Sequence, residues 1–236
     1  MRPLRHTFAE DHAAGGQNAA RAGGAKLGPL RRETLHETAY AEIRNALTSG
    51  RMKMGESVTL RALASALDIS ETPVREAVRR LVTEGALEAV PNRSINVPVM
   101  TRAKLEEQRQ VRVTLEGLAT EMAVENLSPM SIKGLSALND VMVMAAKEGD
   151  TETMLAGNSD FHMTIYRASG SELLVDLIQL TWLRAGPLLT LASDRPKMMK
   201  NAEHAHRKLL TALRRRDPAA ARAAIALDIN RAAEQF

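Results

Sequence analysis

At 236 residues the chain has room for two modest domains, or for one domain with an attached head. It contains no cysteine, which excludes disulfides, thiolate metal sites and a cysteine nucleophile, and which suits a reducing cytoplasm as its location. Net charge is +4, spread as +2 over residues 1–30, +1 over 31–100 and +1 over 101–236, so bulk charge alone does not point to nucleic acid.

No apolar run approaches the roughly 18 residues that a membrane span needs, and no membrane partner is expected. The N-terminus also lacks the continuous apolar stretch of a secretory signal. Residues 1–30 are rich in Ala, Gly and Arg, with Gly15-Gly16 and Gly23-Gly24 pairs and few large apolar side chains. Such a segment buries too little surface to order itself and reads as a flexible tail.

A first helix is predicted from Thr34 to Ser49, with Tyr40, Ile43 and Leu47 on its core face and Gly50 closing it. After Met54-Gly55-Glu56-Ser57-Val58, Thr59 is a good N-cap, and Leu60, Leu63, Ala64 and Leu67 repeat at helical spacing. Asp68-Ile69-Ser70 breaks that pattern. Ser70 or Glu71 can cap another helix, whose early turn carries Pro73 where a missing N–H costs little. There Val74, Ala77, Val78 and Leu81 form the apolar stripe, Arg75, Arg79 and Arg80 lie off it, and Gly85 ends the helix.

Two β-type runs follow, Ala86-Leu87-Glu88-Ala89-Val90 and Ile95-Asn96-Val97, joined across Pro91-Asn92-Arg93-Ser94. Helix, tight turn, helix and hairpin make a winged helix-turn-helix over residues 31–99. Because bulk charge is low, phosphate attraction must come from local clustering of Arg61, Arg75, Arg79, Arg80 and Arg93.

The Met54–Val58 segment, Leu63-Ala64, the run Ser70-Glu71-Thr72-Pro73-Val74-Arg75-Glu76-Ala77 and Glu84-Gly85-Ala86-Leu87 closely resemble the GntR family of bacterial transcription regulators. The resemblance implies a double-stranded DNA operator as partner and assigns roles residue by residue. Arg75 contacts a base edge, with guanine favoured; Arg61 and Ser70 contact phosphate or base edges; Thr72 bonds phosphate; and Arg79 joins the same surface. The wing residues Asn92 and Arg93 reach the minor groove or backbone. Glu71 stands where the family usually has Arg, which removes a groove-facing cation and alters base preference. Ser94 stands in place of the usual wing Gly and changes the shape of the turn.

From Thr101 to Phe236 no alternating strand pattern exists, and Ala, Leu and Met dominate. Ser128-Pro129, Gly149-Asp150, Ser169-Gly170, Gly186-Pro187, Pro196 and Asp217-Pro218 punctuate this stretch into six or seven helices. The fold class is therefore mainly α: the winged head, then an antiparallel helical bundle over residues 100–236.

Asn158 and His162 are one helical turn apart and share a face. His206 lies on the same stripe as Leu209, Leu210 and Leu213, while His204 faces elsewhere. Asp228 follows Ala224 and Ile225 by four and three residues and points inward. Burying an unpaired carboxylate among apolar helices is costly, and a cation is an economical companion for it.

These segments resemble the FCD ligand-sensing domain of FadR-type GntR regulators, through Arg112 and Glu116, Asn158 with Phe161-His162, the run from His206 to Leu213, and Asp217 with Ala221. The helix count is closer to the six-helix VanR-like group than to acyl-CoA-binding regulators. In the FCD pattern the metal ligands are Asp, His, His and His; here the first is Asn158 and the last Asp228. The resemblance thus implies a divalent metal (Zn, Ni or Mn) on Asn158, His162, His206 and Asp228, with positions left open for water or a carboxylate. Arg112 can grip an acidic effector bidentately, with Glu116 fixing Arg112 or a hydroxyl.

The expectation is a homodimeric, effector-responsive transcription regulator, a repressor by the commoner behaviour of the family, that answers to a small organic acid or sugar acid. Two rivals stand beside it. One is a metal-dependent hydrolase or decarboxylase tethered to DNA, against which no second acid or base and no nucleophile motif accompanies the metal set. The other is a DNA-binding protein whose bundle only dimerises, which would tolerate leucine at His162 and His206.

Overall fold

The computed structural model describes residues 35–90, 94–193 and 196–234. The head contains α1 (Leu35–Thr48), β1 (Ser57–Thr59), α2 (Leu60–Ala66), α3 (Glu71–Thr83), β2 (Glu88–Val90) and β3 (Ser94–Asn96). Six helices follow among the described residues: α4 (Arg102–Asn126), α5 (Pro129–Glu148), α6 (Thr151–Arg167), α7 (Glu172–Ser193), α8 (Pro196–Arg215) and α9 (Pro218–Ala233). No described helix is long and apolar enough to cross a membrane.

The helix boundaries are written in short polar side chains. Thr59, Thr101, Ser128, Asp150 and Asp217 each accept a hydrogen bond from the backbone N–H three residues on, capping α2, α4, α5, α6 and α9. Ser70 takes the N-cap position of α3 but makes no side-chain cap bond. Its hydroxyl is therefore left to other partners.

In the head, Ile43 and Leu47 of α1 pack with Val74, Ala77, Val78 and Leu81 of α3, as the periodicity predicts. Tyr40 is only half-buried. Its hydroxyl donates to Glu84 Oε2 at 2.8 Å, and the Arg80 guanidinium sits 3.8 Å over its ring. Arg80 also donates to Glu84 at 2.9 Å, so this arginine braces α1 against α3.

The wing is a three-stranded sheet of order β1-β3-β2, with both pairings antiparallel. The sequence predicts only the two hairpin runs. Strand β1, which pairs Val58 with Ile95, carries no alternating pattern long enough to be read. The first run is also shorter than expected: Ala86 and Leu87 are buried in the head core ahead of β2. Gly85, at φ +71°, turns the chain between the end of α3 and Ala86.

The bundle core gathers Phe161, Ile165 and Tyr166 of α6, Ile178 of α7, Leu209 and Leu213 of α8 and Ile225 of α9. One expected break is absent. Gly186-Pro187 lies inside α7, which continues through it. A proline there removes a backbone donor and would normally kink or end a helix, at about 3 kcal/mol. Tertiary packing overrides this: Ala185 and Leu188 are buried, and α7 lies directly against the end of α1. A Cβ on Gly186 would fall 2.7 Å from Thr48 Cα and 2.8 Å from the Leu47 carbonyl oxygen, so only glycine permits this approach.

Leu183, also on α7, is 1 % exposed and belongs to the head core rather than the bundle core. Arg184 donates from Nε to the Glu84 carbonyl at 2.7 Å, and Arg44 donates to Gln179 Oε1 at 3.0 Å. Through α7 the bundle thus supplies part of the head's own interior.

Candidate functional site: an exposed recognition helix and a buried histidine–aspartate cluster

Those of the expected DNA-contacting residues that the structure describes are exposed. Arg61 on α2, Ser70 at the head of α3, and Glu71, Thr72, Arg75 and Arg79 along α3 are all exposed, while the opposite stripe of α3 is buried. Glu71 lies 3.7 Å from Arg75, one turn away, and Arg79 pairs with Glu76 at 3.0 Å. The acid at position 71 therefore partly neutralises the arginine expected to read a base. Asp68, at φ +53°, forms the tight turn between the two helices, a conformation that Asp tolerates better than most residues. Asn92 and Arg93 lie outside the described residues.

Inside the bundle, α6, α8 and α9 bring His162, His206 and Asp228 together, with one ligand atom of each lying within 4.8 Å of the others. His162 Nε2 is 3.2 Å from His206 Nε2 and 3.4 Å from Asp228 Oδ2, and His206 Nε2 is 3.9 Å from the same oxygen. Both imidazoles are buried, and Phe161 stacks on His206 at 4.5 Å between ring centroids.

The protons on these rings follow from their outer partners. His206 Nδ1 lies 3.1 Å from Asn139 Oδ1, which can only accept, so Nδ1 carries the hydrogen. The Tyr166 hydroxyl donates to Glu116 Oε2 at 2.5 Å, and its oxygen is then an acceptor for His162 Nδ1 at 3.2 Å. Burial, reinforced by the Glu116 carboxylate, raises the Tyr166 pKa well above the usual phenol value and keeps that donor protonated. With both Nδ1 atoms protonated, either ring in its neutral form turns a bare Nε2 lone pair toward the Asp228 carboxylate. Three acceptors facing one another repel unless a positive charge sits among them, either a proton on Nε2 or a cation.

Electrostatics follow the same geometry. Burial, assisted by His162 and opposed by Asp228, depresses the His206 pKa to about 4. For Asp228 burial acts upward. With a proton on His162 Nε2 donated to the carboxylate, that hydrogen bond and the positive charges of His206, His162 and Arg112 outweigh it and leave the pKa below the usual carboxylate value.

Arg112 and Glu116 of α4 form a near-bidentate pair, 2.6 Å from Nε to Oε1 and 3.4 Å from Nη2 to Oε2. Glu116 is fully buried. The Arg112 guanidinium sits 5.2 Å from the Trp182 ring centroid and keeps N–H donors in reserve. Burial acts to lower the Arg112 pKa, but the Glu116 charge raises it further and holds the guanidinium cationic. The expected effector residues and the histidine cluster are thus one chain: Arg112, Glu116, Tyr166, His162.

Asn158 sits one turn before His162 on α6 and is half-buried. Asn139 and Tyr166, which orient the two rings, were not anticipated. Tyr166 follows His162 by four residues, a spacing that could have drawn attention to it, whereas Asn139 is 67 residues from His206 and left no local signal.

A winged helix-turn-helix whose recognition helix is exposed, followed by a helical bundle with a buried polar cluster, defines a DNA-binding regulator with a helical C-terminal domain. Comparison with known proteins agrees. Residues 35–97 match the bacterial regulatory proteins of the gntR family, and residues 107–231 match the FCD domain. The chain is 32 % identical over 193 residues to the HTH-type transcriptional regulator McbR of Escherichia coli (strain K12), covering 80 % of this chain and 87 % of that protein. It is 29 % identical over 173 residues to a probable D-xylose utilization operon transcriptional repressor of Paenarthrobacter nicotinovorans, covering 73 % and 75 %. The solved structure of E. coli McbR/YncC aligns with a TM-score of 0.77 at 30 % identity, over 84 % of this chain and 94 % of that one. The chain belongs to the GntR family of transcription regulators, with an FCD domain. Family and fold are those of regulators and not of enzymes.

Proposed function

We propose that this protein is a homodimeric cytoplasmic repressor whose hold on a palindromic operator is set by a small carboxylate effector bound beside a divalent metal. The observation that carries this reading is the set of three unshared acceptors, His162 Nε2, His206 Nε2 and Asp228 Oδ2, held by oriented partners and joined through Tyr166 and Glu116 to Arg112. That donor set fits Zn, Ni or Mn, with Asn158 as a further oxygen donor on the same helix face. The ion would supply positive charge and a binding position for the effector's carboxylate.

The residues of the chain do the rest. Asn139 and Tyr166 orient the two rings, a role usually essential to metal affinity. Glu116 aims Arg112, whose remaining donors can take an acid group. In the head, Arg75 reads a base edge, Arg61, Ser70, Thr72 and Arg79 take phosphate or base-edge contacts, and Asn92 and Arg93 serve the wing. Glu71 tunes Arg75.

The dimer is supported by α4, where Val111, Leu118 and Met122 repeat at seven and four residues and stay 40 to 42 % exposed. A second copy is the partner that would cover such a stripe, and its twofold axis would demand the operator palindrome. Repression accords with the behaviour named for the Paenarthrobacter relative.

Elemental analysis of the purified protein and of a His162→Ala, His206→Ala variant tests the metal. About one ion per chain, lost in the variant, is expected. No metal in either form removes the metal from this reading and leaves DNA binding intact.

A further inference from the structure

A cleft of about 280 Å³ lies where the start of α5 meets the end of α8, and none of His162, His206 and Asp228 lines it. Pro129, Ile132, Lys133 and Ser136 face it from α5, and Arg214 and Arg216 from the other side. Three of these side chains are cationic, one is a hydroxyl, and no carboxylate is among them. None of the three cations forms an ion pair among the described residues. The arginines are held in place. Arg214 Nη2 donates to Ser136 Oγ at 3.0 Å, which leaves the hydroxyl hydrogen to be donated in turn. Arg216 Nη1 donates to the Val124 carbonyl, from a backbone at φ +54° just past α8, where glycine usually takes that conformation. The dipole of α8 favours arginines at its end. It does not account for Lys133, which stands near the positive end of α5. Converging cations repel one another, and an anion between them removes that repulsion.

We infer that this cleft binds a phosphate group, carried by free phosphate or by a small phosphomonoester. A carboxylate offers one charge and two oxygens to three cations. A phosphate dianion offers two charges and three oxygens, enough to take Lys133, Arg214 and Arg216 together, with Ser136 Oγ donating as well. Ser136 precedes Asn139 by one turn on α5, and Arg214 follows His206 by about two turns on α8. The Asn139–His206 contact already joins these two helices. Bound phosphate therefore clamps the pair that orients His206, and bears on the buried cluster without touching its ligand atoms.

The test is equilibrium dialysis of the chelator-treated full-length protein against labelled inorganic phosphate and, separately, labelled glycerol 3-phosphate, with acetate as competitor. Saturable retention of about one phosphate group per chain is expected, with acetate displacing it at least tenfold less readily than unlabelled phosphate. Lys133→Gln and, separately, Arg214→Gln should each weaken retention about tenfold or more. Both side chains are exposed, so the fold should survive their loss, and circular dichroism checks that it does. Tighter retention of the ester identifies a phosphomonoester as the ligand, and equal or tighter retention of phosphate identifies the free ion. Retention of neither overturns the assignment, as does retention that survives both substitutions. Equal displacement by acetate overturns the selection for phosphate. Loss of affinity for non-operator duplex DNA in both variants, with neither small ligand retained, would give these cations to nucleic acid instead. Because metal is absent throughout, failure here is distinct from failure of the metal reading.

Discussion

Trp182 and Leu183 are neighbours on α7 that belong to different interiors. The Trp182 ring lies 5.4 Å from His162 and 5.2 Å from the Arg112 guanidinium, whereas Leu183 is buried in the core of the head. One helix therefore touches the buried polar cluster with one side chain and the DNA-binding domain with the next. A shift of α7 as small as a fraction of a turn must be felt in both places, because packed interiors do not deform continuously.

Truncation at that joint should uncouple the two. Leu183→Ala is expected to destabilise the head by about 2–5 kcal/mol, the usual cost of emptying a buried leucine site. Denaturant unfolding followed beside operator affinity would show both falling while metal content is unchanged. Gly186→Ala should also displace α1 from α7, since its Cβ would strike the Leu47 and Thr48 backbone. Operator binding unaffected by both substitutions would remove α7 as the link.

Tyr166→Phe deletes one oxygen and tests the orientation of His162. Without the hydroxyl, His162 Nδ1 loses its acceptor and Glu116 loses a donor. Metal affinity should fall about 10–100-fold with the protein still folded, measured by competition with a chromophoric chelator. Asn139→Leu should act similarly through His206.

The pH dependence of the chelator-treated protein has a definite sign. His206 titrates near 4 when folded and near 6.5 when unfolded, so between those values the unfolded chain binds more protons. Stability should therefore drop as pH falls from about 6.5 to 4, by up to ~3 kcal/mol from this group. Asp228, whose folded pKa is also lowered, adds a loss in the same direction at still lower pH. Urea midpoints across this range should fall with pH, and His206→Ala should flatten the curve. A flat wild-type curve would contradict the depressed histidine.

On the recognition helix, Glu71→Gln releases Arg75 from an exposed pair worth about 0–1 kcal/mol to the fold. Stability should barely change. Non-specific DNA affinity should rise and the salt dependence steepen by about one unit in slope. Arg75→Ala should instead cost about 1–3 kcal/mol on the preferred operator and relax base preference at one position. Fluorescence anisotropy at several salt concentrations separates the two.

What the sequence determined by itself is what local spacing encodes. Thr59 and Asp217 are caps wherever the chain goes, Val74, Ala77, Val78 and Leu81 make one stripe of any helix, and His162 and Asp228 face inward because apolar residues share their turns. Strand β1 escaped this reading because three residues carry too little alternation, and its pairing with β3 is a long-range event. The tertiary structure alone decided that Asn139 orients His206 across 67 residues, that Tyr166 donates to Glu116 across 50, and that Gly186-Pro187 continues a helix. Proline and glycine break an isolated helix for local reasons. Here the close approach of α1, open only to a residue without a Cβ, and the burial of Leu183 in the head outweigh them.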